Sequence, residues 1–366
     1  MRSLVLVLFC LTLSEVRASF DDAARYAFLS SSSKKTVYVI DLYDRKKAGE
    51  IPLAEAPNSV SASEALKAAI VSHRDARKLT LIDLTSDDLV QIDYPLDIRP
   101  DQVLVSPIGE TVAILDQSVG ELQVHALKRA TILVSVKNVN TVSTLTFSPD
   151  GSTIYWVDQQ AGILHAVDLW SERKQLQIAR EGAALSAMSR SIDGTLGFVS
   201  NAENGTVNVV NLQAFDVLRS SRVGRQPERP WGTADGQYML VPNAGSSTVT
   251  AMSAATSESL YTASAVSNPV SINPGWIDTI VAVVGGDGAV AFLSIDDGSE
   301  LARTELGGEP EEGIVTSDSK TLAIPVPGSG SVVFFDMKAR ARLSTISGLP
   351  DDIGPAALAV SNNLCH

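Results

Sequence analysis

Short apolar runs follow one another along nearly the whole chain, each broken after a few residues by Asp, Gly, Ser or Pro. That is the pattern of strands and tight turns, because β-branched and aromatic residues suit a pleated surface while the breakers suit reversals. Around residue 150 it reads STLTF, a turn SPDG, STIYWVD, a turn QQAG, ILHAVDL and then QLQIA. Four short strands in that order predict one antiparallel sheet. The order returns in SIDGTLGFVSNAENGTVNVVNL at 191–212 and in TADGQYMLVPNAGSSTVTAMS at 233–253. Gly or Pro interrupts nearly every window long enough for a helix, so no long helix is expected.

The turn glycines Gly109, Gly151, Gly194 and Gly236 lie 42, 43 and 42 residues apart. A period of this length marks a copied supersecondary unit that cannot bury its own apolar face. Complete copies start near Ser59, Gln102, Ser143, Leu185, Arg229, Pro269 and Glu312. Residues 25–53 supply only a second, third and fourth strand, and PAALAVS at 355–361 reads as the missing first one. The expected fold is therefore all-β: an eight-bladed β-propeller, closed by pairing of N- and C-terminal strands in one blade. Seven blades is the alternative if that blade is not completed. Such closure removes free sheet edges.

Residues 19–366 read as one propeller domain preceded by an export leader. Arg2 precedes LVLVLFCLTL, a run too short to span a bilayer, and Val16 and Ala18 suit a cleavage site. Cleavage removes Cys10 and leaves Cys365 alone, so no intramolecular disulfide is expected. The expected location is periplasmic or secreted. The formal charge of −13 becomes −14 once Arg2, Arg17 and Glu15 leave with the leader. That acidity argues against a nucleic-acid partner, which needs a basic footprint. No later segment approaches the roughly twenty apolar residues of a membrane helix.

PDGSTIYWVD, NAENGTVNVVN and RPWGTADGQYMLVPNAGSSTVT resemble the YVTN-type β-propeller repeat across essentially the whole mature chain. The resemblance implies an exported propeller. Eight blades are also similar to the haem-binding propeller of cytochrome-type nitrite reductase and to haem-maturation propellers, which makes haem a possible cofactor. Seven-bladed relatives include lactonases and large subunits of amine dehydrogenases. No catalytic set from these families maps onto residues of this chain, so the resemblance speaks for architecture and compartment.

In a propeller the first strand of each blade lines the central channel. Ligands commonly meet the face built from the connections into first strands and the turns after second strands. The connections offer Arg99 and Asp101, RQPERPW at 225–231, GGEPEEG at 307–313, and Asp351 with Asp352. The turns offer His73, Asp116, Asp158, Asn201 and Asn243 at equivalent places.

In RQPERPW the prolines restrict the backbone, and Arg225 or Arg229 is placed to clamp a carboxylate with Trp231 as a stacking platform. The plainer alternative is that PWG only opens a blade while the arginines pair with Glu228. GEPEEG brings Glu309, Glu311 and Glu312 together, as a cation site, an acid–base pair, or merely a solvated acidic turn. His73 stands in the slot of Asn201 and is the candidate haem ligand or general base. His125 and His165 fall in third strands, away from the channel, and read as half-buried sheet residues. Cys365 and His366 read as the end of the closing seam.

No CxxCH, zinc-type spacing, GxSxG, P-loop or HExxH occurs, and no metal is expected. AVVGGDGAV at 282–290 reads as a tight turn, and Asn204-Gly205-Thr206 fits either a glycosylation acceptor or a hairpin. The expected function is non-catalytic binding of a small ligand, cofactor or partner protein at the channel mouth. The alternative is a haem- or quinone-linked oxidoreductase component or a lactonase-like hydrolase.

Overall fold

The computed structural model describes residues 19, 20, 22, 24–139, 141–171, 173–180 and 184–358. The expected leader, Cys365 and His366 lie outside the described residues. Eight four-stranded antiparallel sheets are present. Blade 1 holds Tyr26–Ser31, Thr36–Asp41 and Lys46–Pro52, and its first strand is Ala357–Leu358. Phe28 pairs with Ala357 and Ala27 with Leu358, so the two ends of the described chain close the ring as expected. Blades 2 to 8 then open with Ser59–Ser63, Gln102–Val105, Val142–Phe147, Leu185–Arg190, Trp231–Gly232, Pro269–Gly275 and Ile314–Val315. Helical structure among the described residues is confined to single 3₁₀ turns such as Leu127–Arg129.

Local chemistry explains the repeat. In the turn after the first strand, the Ser148 hydroxyl donates to Asp150 and accepts the Thr153 N–H, while Asp150 accepts the Ser152 N–H. Ser191 with Asp193, Thr233 with Asp235 and Thr316 with Asp318 repeat this closure. These hydrogen bonds hold the Asp150 and Asp193 carboxyls below their usual range. One apolar residue follows each third strand, for example Leu42, Leu84, Leu169 and Met337, and its N–H caps the residue before the second strand.

At the other end, a residue one or two positions after each fourth strand donates its N–H to the carbonyl of a left-handed residue in the turn after the second. Gly330 holds that position in blade 8 with φ +54°, and a Cβ there would overlap the Leu349 carbonyl. The second and third strands are buried on both faces and therefore read as continuous apolar runs, as in TVAILD.

Buried apolar residues form eight clusters, one at each junction between neighbouring blades. The 8/1 junction is an ordinary member of the set, with Phe334 and Ala323 packed against Leu29, Ile40 and Ile353. Outer strands are largely exposed and carry Lys46, Lys47, Arg173 and Lys174, charges that discourage pairing with another sheet.

Candidate functional site at the channel mouth

The first strands enclose a central cavity of about 350 Å³. Its wall runs from Arg229, Glu312 and Pro355 near one face to Glu64 and Pro107 near the other, with Trp231, Asn273 and Thr146 between. The register shows how the wall is layered. The third residue of every second strand faces one first-strand residue, as in Ile70–Ser61, Leu240–Trp231 and Ala323–Ile314. The positions two residues earlier are Pro355, Ser59, Gln102, Thr144, Ala187, Arg229, Ser271 and Glu312. This layer holds one cation and one anion; the other six positions are uncharged.

Both charges sit just before unusually short first strands. By register Pro242 stands opposite Arg229, and Pro325 opposite Glu312. Proline has no N–H to give the ladder, so pairing ends there. The expected starts at Arg229 and Glu312 accordingly become Trp231 and Ile314. Each connection is instead tied one residue earlier, by Glu228 N–H to Pro242 O at 2.8 Å and Glu311 N–H to Pro325 O at 2.9 Å. The Ser186 and Ser189 hydroxyls of blade 5 donate to the Pro227 and Pro230 carbonyls and pin the same segment.

The Arg229 guanidinium lies 4.7 Å from the centre of the Trp231 ring. Among the described residues it has no carboxylate partner, and Glu228 pairs with neither Arg225 nor Arg229. Glu312 is likewise free of ion pairs. Burial, followed by the neighbouring Glu312 carboxylate, pushes the Glu311 carboxyl up.

Other sequence-selected residues share the face but not the cavity. Asp101 accepts the Gln117 N–H at 2.8 Å and pairs with Arg74, while Asp352 accepts the Ser31 hydroxyl and the Ser33 N–H. Arg99 approaches Asp75 at 3.7 Å, and its N–H donates to Asp116 at 2.8 Å. Asp158, Asn201 and Asn243 accept amide hydrogens of their own turns or of the adjoining connection. Arg225 is exposed, outside the cavity, and its N–H donates to Ser246 Oγ. These acceptors fasten each connection to its turn.

His73 is 1 % exposed, with Nδ1 3.1 Å from Ala56 O and Nε2 2.9 Å from Thr80 Oγ1, which itself donates to Asp93. Its ring belongs to blade 2. His125 and His165 are buried rather than half-buried. His165 stacks on Trp156 at 4.7 Å and accepts a hydrogen bond from Arg173 at Nδ1. Burial, reinforced by the Arg173 charge, pushes its pKa down to about 4.

A histidine depressed in the fold binds its proton first in the unfolded chain, near pH 6.5. Its stabilising effect is complete above pH 6.5 and is lost as pH falls toward 4. Urea melts should show a decline across that window, with His165→Gln removing on the order of 3 kcal/mol of it. An identical decline in the variant would assign the pH dependence to other groups.

Among the described residues no set of three or more His, Cys, Asp or Glu could hold a metal ion, and no helix is long and apolar enough to cross a membrane. The described lining residues contain no histidine or cysteine, so they offer no imidazole or thiolate to a haem iron.

No protein-family model matches the chain, and no curated protein matches it by sequence. Solved structures do match its fold. Dihydro-heme d1 dehydrogenase NirN in complex with DHE shares 14 % identity at a TM-score of 0.76, over 94 % of this chain and 77 % of that one. Apo AztD from Citrobacter koseri shares 14 % identity at 0.66, over 91 % and 97 %. Saccharomyces cerevisiae Sqt1 shares 10 % at 0.68, over 81 % and 85 %. At such identities the likeness establishes the fold alone, and the fold and cavity define an eight-bladed propeller with a charged channel mouth.

Proposed function

We propose that this chain is an exported β-propeller that binds a small carboxylate-bearing molecule at the channel mouth and acts as a binding module. The observation that carries the reading is the Arg229 guanidinium, stacked on Trp231 in the cavity wall and lacking a carboxylate partner among the described residues. Stacking leaves the guanidinium edge open for a two-pronged bond to a carboxylate. The cavity volume falls within the range of small-molecule sites. The leader-like start supports export, and the YVTN-type resemblance agrees with it.

NirN, solved in complex with DHE, is a ligand-bound propeller of similar architecture. A haem in this channel would have to be held through its carboxylates, since the described wall supplies no axial imidazole or thiolate. Absence of a histidine beside the lining serines also favours binding over hydrolysis.

The test is native mass spectrometry and calorimetric titration of the mature protein against aromatic acids, dicarboxylates, amino acids, free dipeptides and haem. At least one class should bind, and Arg229→Gln should weaken it about 10- to 100-fold, the loss expected for a charge-assisted hydrogen bond. Failure of every carboxylate to bind, or equal binding by the variant, overturns the reading.

A further inference from the structure

The channel mouth has two poles. Arg229 and Glu312 occupy the same layer of the wall, two blades apart, and are the only charged members of its eight equivalent positions. Neither forms an ion pair with the other or with any other described residue, and among these Arg229 is held only by its stacking on Trp231. Both are set off from the ladder by the same device, a proline opposite and a backbone N–H hydrogen bond to that proline's carbonyl one residue earlier. The wall between them belongs to blade 7, where Asn273 is 3 % exposed. Its Nδ2 donates to Ser271 Oγ at 2.9 Å, and its Oδ1 accepts nothing among the described residues. Gly313 beside it has no side chain to cover that oxygen; a Cβ there would come within 3.1 Å.

We infer that the ligand of this mouth is a small zwitterion of free amino-acid or short-peptide type, its carboxylate on Arg229 and its ammonium on Glu312 with Asn273 Oδ1 alongside. The inference rests on the preceding reading that the mouth binds a carboxylate.

Electrostatics selects this class. A ligand that is only anionic brings a second negative charge into a small cavity that already holds Glu312, in a protein of net charge −13. A ligand that is only cationic meets Arg229 in the same way. Arg229 and Glu312 both keep contact with solvent, so the repulsion is screened, yet like charges facing each other across a small cavity still count against a singly charged ligand. A molecule with both charges satisfies both poles and leaves neither unpaired. An ammonium with three donors also suits a carboxylate flanked by an amide oxygen.

The test uses an equimolar mixture of free dipeptides, the same mixture N-acetylated, and the same mixture C-amidated, each titrated into the mature protein and read by native mass spectrometry. The free mixture should bind, and blocking either end should weaken binding by about tenfold or more, the scale of one lost charge-assisted contact. Arg229→Gln and Glu312→Gln should each lose a comparable factor. In the exchanged double variant, Arg229→Glu with Glu312→Arg, the poles merely swap, so binding of free dipeptides should return to within about tenfold of wild type, less than one such contact. A thermal melt of each variant separates this from misfolding.

Equal binding of free and blocked mixtures overturns the zwitterion inference. So does a correctly melting double variant that remains as weak as the single ones. Binding of aromatic acids or dicarboxylates without free dipeptides sinks the inference while the carboxylate reading stands; absence of any binding sinks both.

Discussion

Deleting residues 355–366 lowers the thermal midpoint by roughly 10 °C and makes the ring self-associate beyond the state of the full chain; this is the largest expected effect. The deletion removes Ala357–Leu358 and with it the pairing to Phe28 and Ala27. It also strips Ala356 and Leu358 from the 8/1 cluster and Ala357 from the 1/2 cluster. A few ladder hydrogen bonds at about 1 kcal/mol each, plus the lost apolar burial, come to about 5 kcal/mol. At about 2 °C per kcal/mol for a large domain, that gives the stated shift.

Self-association follows from geometry: Tyr26–Ser31 becomes an edge with unpaired N–H and C=O groups, and an open edge is a template for another chain. Differential scanning calorimetry with size-exclusion chromatography checks both parts. A melt within about 2 °C of wild type, the shift expected for a change near 1 kcal/mol, with the elution volume of the full chain would show that the terminal strand does not hold the ring.

The second large effect is Trp156→Ala. Trp156 is 1 % exposed in the 3/4 cluster, its ring parallel to His165 at 4.7 Å with the Arg173 guanidinium 5.5 Å away. Removing it opens a cavity between two blades whose backbones are fixed by their own ladders and cannot collapse inward. Loss of a buried Trp costs about 3–5 kcal/mol on that basis. Urea denaturation should give a destabilisation in that range, with Trp156→Phe near half of it because the cavity is partly filled. A cost under about 1 kcal/mol would mean that the blade junction repacks instead of keeping its close packing. His165 loses its stacking partner in the same variant and becomes better hydrated, so its pKa should rise toward 6.5 in histidine NMR titration.

The ring was legible along the chain because its determinants are local. A hydroxyl two residues before Asp closes one turn, a left-handed residue anchors the end of the fourth strand, and one apolar residue anchors each third strand; the first lies within five residues of its partners and the other two stay within a single blade. Repetition at a fixed period then counts the blades, and a missing first strand in residues 25–53 points to the far end. Arg229, Trp231 and Glu312 could be picked out because they follow prolines or precede blade openings, where function concentrates.

What could not be read is which side chains are already used. His73 and Asn201 occupy the same slot in sequence, on the face of the channel mouth, yet that slot points into the sheet and toward its own turn. Asp101, Asp116 and Asp352 look like a ring of free carboxylates until the neighbouring amides that saturate them are in place. Free valence belongs to three-dimensional neighbours, and those neighbours lie anywhere from two to more than three hundred residues away.

The opposed charges of Arg229 and Glu312 likewise emerge only from register. They stand 83 positions apart in the chain, and nothing local relates them. Residues within a few positions of one another dictated the strands, turns, blade number and direction of closure, because backbone conformation responds to near neighbours. Depth in the wall, burial, and which charges remain unpaired were settled when the ring closed, because those quantities are set by distances across it.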